Sequence, residues 1–223
     1  MRLGLLSDLH CELAPPRQRS WINAYEPHRL GQRLERAAGI FDAEQPDIVL
    51  LLGDIAELAD RAAFDFVFAR LHELRSPLIA AVAGNHDGGA DTKALEASVA
   101  AHGIRLLRGE AVGIRGASLV GLGIAPVASG GSAFSAEVPE LTGQGAVTIV
   151  ASHFPLCSYA AQLTVGALIE APFDCAIVDV QGDGDVTVRR RTFTLGDAPR
   201  INPVFAPADE RWRWSGDHWR EVR

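Results

Sequence analysis

Pro77-Leu78-Ile79-Ala80-Ala81-Val82-Ala83 runs into Gly84-Asn85-His86-Asp87, an unbroken apolar stretch ending on polar groups able to bind a metal or move a proton. An apolar run of this length with no polar alternation reads as a strand buried on both faces. Two stretches upstream have the same form: Leu3-Gly4-Leu5-Leu6-Ser7 leads into Asp8-Leu9-His10, and Asp47-Ile48-Val49-Leu50-Leu51-Leu52 leads into Gly53-Asp54. In α/β proteins the carboxyl ends of parallel strands open onto one crevice. Three such ends in series therefore bring Asp8, His10, Asp54, Asn85, His86 and Asp87 towards a common centre.

A fourth buried run, Ala146-Val147-Thr148-Ile149-Val150-Ala151, ends on Ser152-His153-Phe154-Pro155. Between the runs the pattern is helical. Leu30, Leu34, Ala37, Ala38 and Phe41 recur at helical spacing within 28–43, and Phe64, Val67, Phe68 and Leu71 form a buried stripe within 59–74. Asp91 to His102 reads as a third helix with an acidic first turn, closed by Gly103 as C-cap. His28, His72 and His102 read as surface or helix-end residues. Short runs at 104–107, 111–114 and 118–122 follow, separated by turns, and suggest antiparallel strands added to the parallel set.

Three stretches lack this regularity. After Pro15-Pro16 a loop extends to about Pro27 and carries Arg17, Arg19 and Trp21, which read as a solvated loop with one anchoring aromatic or as contacts for a phosphate and a ring. Residues 123–145 are rich in Gly, Ser, Ala and Pro and form a long loop near the site edge. Runs at 173–180 and 186–193 make a hairpin through Gly182-Asp183-Gly184-Asp185, where Gly and Asp suit a tight turn and the aspartates also resemble a cation cluster. The organisation read from this is one domain over 1–195. Residues 196–223, with Pro199, Pro203 and Pro207, form a tail that Trp212, Trp214 and Trp219 anchor on it.

At 223 residues and 48% hydrophobic content the chain can bury a sizeable core. Its formal charge of -7 argues against a nucleic-acid or anionic-membrane surface. Cys11, Cys157 and Cys175 are odd in number and unclustered, so neither a disulfide framework nor a cysteine zinc site is indicated, and a cytoplasmic location is expected. The stretch before Asp8 is too short for a signal-peptide core, and no run approaches membrane-spanning length.

Asp8-x-His10, Gly53-Asp54, Gly84-Asn85-His86-Asp87 and the strand leading to His153, taken together and in this order, resemble the calcineurin-like metallophosphoesterases over about residues 1–195. The resemblance implies an α/β fold, a four-layer αββα sandwich of two mixed β-sheets flanked by helices. It implies hydrolysis of a phosphodiester or phosphomonoester, a small substrate, through two divalent ions (Mn, Fe, Zn or Co). Asp54 would bridge the ions, Asp8 and His10 would hold the first, and Asn85 and His153 the second. By the same resemblance His86 contacts the phosphate and protonates the leaving oxygen, and Asp87 is expected to orient its imidazole. The alternative is an impaired member of the family acting as a binding scaffold.

One family element is missing: no His-x-His pair occurs in the chain, where the family carries Gly-His-x-His after its fourth motif. Asp179, Gln181 or Asp183 compensates only if the hairpin bends into the crevice. Losing even an outer partner of a metal ligand lowers affinity or activity about 10–100-fold. Weak metal loading and slow hydrolysis, improved by excess manganese, are therefore expected. Two ions per chain surviving dialysis against a chelator, measured by elemental analysis, would refute this.

Overall fold

The computed structural model describes residues 1–15, 25–75, 78–88, 91–109, 111–114, 117–122, 125–126, 134–135, 147–153, 168, 173–182, 185–195, 208–215 and 219–222. The Arg17, Arg19 and Trp21 loop, most of 123–145, Cys157, Asp183 and the segment where the second histidine pair would fall lie outside them.

The core is a sheet of eight strands: β1 (Arg2–Leu6), β2 (Ile48–Leu51), β3 (Leu78–Ala81), β4 (Arg105–Leu106), β10 (Phe173–Val180), β11 (Asp185–Phe193), β12 (Glu210–Trp214) and β13 (Trp219–Glu221). They lie in the order β13-β12-β11-β10-β1-β2-β3-β4. β1, β2, β3 and β4 are parallel, and β10 joins β1 antiparallel with Leu5 opposite Ala176. A second sheet of three strands contains β5 (Ala111–Ile114), β6 (Ala117–Leu122) and β9 (Val147–Ser152), with β5-β6 antiparallel and β6-β9 parallel. A short ribbon of β7 (Ala125–Pro126) and β8 (Phe134–Ser135) completes the described strands.

Period-2 alternation divides the apolar residues of the large sheet between two cores. Val49, Leu51, Ile79, Ala81, Cys175 and Ile177 face one way, onto α1 (Leu30–Glu44), α2 (Arg61–His72) and α3 (Lys93–Ala101). There they meet Leu34, Phe41, Phe64, Phe68 and Leu95, all at most 1% exposed. Leu3, Leu5, Ile48, Leu50, Ala80, Val82, Ala176 and Val178 belong to the other core, with Leu119 and Ala151 of the small sheet. Each fully buried aliphatic side chain contributes about 1.5–3 kcal/mol of transfer free energy. The two faces therefore clamp helices and second sheet onto the same strands. The result is the expected α/β arrangement of two mixed sheets, with α1, α2 and α3 on the outer face of the large one; among the described residues no helix covers the small sheet.

Several local expectations need correction. Residues 105–106 pair parallel with β3 rather than antiparallel, because α3 carries the chain back over the sheet before they begin. Within 123–145 the described residues include the β7-β8 ribbon. The aperiodic tail supplies β12 and β13, which extend the sheet through backbone pairing that side-chain periodicity does not encode. Asp185, which by sequence reads as a turn residue that also resembles part of a cation cluster, instead opens β11 and is paired with arginines: its carboxylate accepts from Arg213 Nε at 2.7 Å and Nη2 at 2.9 Å, and from Arg211 Nη2 at 3.2 Å. Asp179 pairs with Arg2 and Arg189 at the amino end of β1, opposite the strand ends that carry Asp8 and Asp54. It therefore does not replace a missing ligand. His28, expected on the surface, is half-buried with its Nδ1 enclosed, while His72 is exposed and pairs with the His102 carbonyl.

Candidate metal centre

The site forms where the two sheets end together. Past their last strand residues, β1 and β2 stay hydrogen-bonded: Asp8 N–H donates to Gly53 O at 3.2 Å, His10 N–H to Asp54 O at 2.8 Å and Cys11 N–H to Ile55 O at 2.9 Å. Within this held segment Asp8, His10 and Asp54 adopt left-handed backbone conformations, with φ of 51°, 45° and 49°. Such residues carry about 1–3 kcal/mol of strain each and persist where surrounding bonds over-determine them. Here the strain directs three polar side chains inward.

Two glycines let the strand ends approach. A Cβ on Gly53, whose φ is +93°, would lie 2.8 Å from the His153 ring, and one on Gly84 would run into the Asp54 amide and carboxylate.

Asp54 is 4% exposed and central. Its Oδ1 accepts the His86 backbone N–H at 2.9 Å, while Oδ2 lies 3.4 Å from His10 Nε2 and 3.3 Å from His153 Nε2. His153 Nε2 is also 3.2 Å from Asn85 Oδ1, and His10 Nε2 is 3.8 Å from Asp8 Oδ1. The donor atoms of Asp8, Asp54 and His153 all lie within 4.8 Å of one another. Asp8, His10, Asp54, Asn85, His86 and His153 are thus brought to one crevice, His153 coming from the second sheet.

Asp87 is placed otherwise. It is fully buried, and its Oδ1 accepts from Ile55 N–H at 2.8 Å and Ala56 N–H at 2.9 Å, its Oδ2 from Gly84 N–H at 2.8 Å. The carboxylate staples the β2 loop to the β3 loop, and the His86 ring nitrogen Nδ1 is held by Glu57 instead. Burial pushes the Asp87 pKa up to about 7 against these three donors.

The residue that sequence reasoning missed is Glu57. Its Oε2 is 2.7 Å from His10 Nδ1 and 3.2 Å from His86 Nδ1, and its carbonyl oxygen is 3.1 Å from the same His86 nitrogen. His10, Glu57 and His86 form a second group of donors within 4.8 Å of one another. A carboxylate three residues beyond Asp54 was the only available sign.

Each imidazole is held by its Nδ1. His10 Nδ1–H donates to Glu57, His86 Nδ1–H to Glu57, and His153 Nδ1–H to Leu52 O at 2.9 Å. These acceptors fix the tautomer and leave the Nε2 lone pairs for a ligand, the second-sphere arrangement usual at metal-binding histidines. Carboxylate and imidazole donors clustered around one acidic oxygen fit divalent transition ions. Burial lowers the pKa of His10, but hydrogen bonds to Asp8 and Glu57 outweigh it and raise it to about 9. Burial likewise opposes the Glu57 charge, and His10 and His86 overcome it to hold the carboxyl at about 2.

Residues 1–162 of the 223 match the family of calcineurin-like phosphoesterases, and the chain belongs to that family. Fifty chains of solved structures also match. One, described as a novel archaeal phosphodiesterase, is 16% identical, over 86% of this chain and 100% of that one, with a TM-score of 0.43. No curated protein matches.

Two outcomes follow from this geometry. Because Asp87 serves three buried amides, Asp87→Ala should destabilise the fold by at least about 3 kcal/mol, since each orphaned buried donor costs about 1–3 kcal/mol. Denaturant titration checks this; an unchanged midpoint with selective loss of activity would restore the orienting role. In the metal-free protein the raised His10 pKa stabilises the fold fully below its unfolded value near 6.5, and that stability is lost as pH rises through about 9. A divalent ion must displace this proton, so its affinity should rise up to about tenfold per pH unit from 7 to 9, with proton release seen by calorimetry in buffers of different ionisation enthalpy.

Proposed function

We propose that this chain is a metal-dependent phosphoric ester hydrolase whose centre takes two divalent ions. The observation that carries the reading is the single oxygen Oδ2 of Asp54, facing His10 Nε2 at 3.4 Å and His153 Nε2 at 3.3 Å. A carboxylate flanked in this way suits a shared ligand. Asp8 and His10 would complete one position, Asn85 and His153 the other.

When bound, such ions supply charge neutralisation for the phosphoryl oxygens and an acidified water. The chain's own residues supply the rest. Asn85 contributes an amide oxygen and no charge, so the crevice stays attractive to an anionic ester. Glu57 fixes both His10 and His86, tying the orientation of a metal ligand to that of the proton donor. Its hydrogen bond raises the His86 pKa against partial burial, with the Asp54 charge adding to it, which favours the protonated imidazole that would deliver a proton to the leaving oxygen.

No helix among the described residues is long and apolar enough to cross a membrane. A small phosphate ester remains the proposed substrate.

His86→Ala should lower turnover of nitrophenyl phosphate mono- or diesters about 100-fold or more while metal content changes little, whereas Asp54→Ala should remove both. Parallel metal analysis and single-turnover assays with excess manganese distinguish the two. Equal metal loss in both variants would show that His86 is a ligand, and absence of turnover in the manganese-supplemented parent would favour the scaffold alternative.

A further inference from the structure

Among the described residues the exposed large hydrophobic side chains are Leu13, 48% exposed, and Leu58, 75% exposed. Single exposed leucines are ordinary on a protein surface, but these two are related by the fold. Cys11 and Ala56 form a parallel bridge beyond β1 and β2, and Glu57 N–H donates to Cys11 O at 3.1 Å. Leu13 and Leu58 each stand two residues past that bridge, at the end of the strand pair that carries Asp8, His10 and Asp54. Leu58 is also next to the proton donor on both sides of the chain: Glu57 holds the His86 ring, and Ala59 N–H donates to His86 O at 3.1 Å.

We infer that Leu13 and Leu58 form an apolar subsite for the leaving alcohol, selecting phosphoesters whose alcohol is an aromatic or extended hydrocarbon group. The inference rests on the phosphoesterase reading, because His86 marks the side on which the alcohol departs. His86 is the group that would protonate the departing alcohol, and Leu58 lies in the chain between Glu57 and Ala59, the two residues bonded to His86. Apolar surface covered there would no longer face water, and the gain scales with the area removed from solvent. The alcohol lies beyond the charged centre, so the leucines discriminate between alcohols without touching the phosphoryl group.

The test compares methyl-, phenyl- and 2-naphthylphosphonate, which keep one anionic head and enlarge the apolar group. Their binding to the manganese-supplemented full chain is measured by calorimetry, with turnover of phenyl and 2-naphthyl phosphate measured in parallel. Affinity should rise on the order of tenfold from methyl to naphthyl, and kcat/KM should favour the naphthyl ester by a similar factor. The Leu13→Ala/Leu58→Ala variant should flatten both gradients, and since both side chains are exposed its melting temperature should match the parent's. A flat binding gradient in the parent, or an undiminished one in the variant, overturns the inference, even where turnover is intact. A gradient that the variant abolishes, seen without turnover of either ester, supports the subsite and overturns the esterase reading. Neither binding nor turnover overturns both.

Discussion

The carboxylate of Asp54 is the point on which the crevice depends. One oxygen takes the amide of His86 and so fixes the β3 loop; the other stands between imidazoles delivered by different sheets. That closeness requires a bare backbone at Gly53 and Gly84, since a methyl group on either would strike the His153 ring or Asp54 itself. The left-handed turns at Asp8, His10 and Asp54 belong to the same constraint, for they aim side chains into a space that regular strand continuation would direct elsewhere.

A cluster of carboxylates and imidazoles this enclosed is no source of stability by itself. Desolvating charge is expensive, and paired charges barely recover it. Without a cation, burial works against charge on His10 and Glu57 alike, yet hydrogen bonds to Asp8 and Glu57 drive His10 to about 9, and bonds from His10 and His86 hold Glu57 near 2. The fold tolerates this because its stability is generated elsewhere, in the two apolar layers on either side of β1, β2 and β3. Asp87 performs a mechanical task beside them, gathering three amides of the β2 and β3 loops.

The opposite end of the sheet is charged in another way. Glu44 at the end of α1 accepts from Arg189 and Arg191 of β11, and Asp179 of β10 accepts from Arg2 and Arg189. These pairs bind helix to sheet away from the crevice. Asp185 is neutralised similarly by Arg211 and Arg213 of β12, which ties the last strands to the hairpin.

The sequence by itself determined the buried parallel strands, the amphipathic stripes of α1 and α2, the presence of α3 from its acidic first turn and glycine stop, and the convergence of Asp8, His10, Asp54, Asn85, His86 and His153 on one crevice. Unbroken apolar runs ending on polar groups allow little else, because the period and the strand ends are local properties. Only the tertiary structure decided which carboxylate serves which partner. Asp87 stands next to His86 in the chain, yet sequence neighbours on a loop point in different directions, and its carboxylate turned to backbone amides. Glu57, far from His86 in sequence, reached its ring because the loops after β2 and β3 lie side by side. The placement of β12 and β13 had the same origin, since edge pairing is made by backbone groups that every residue carries.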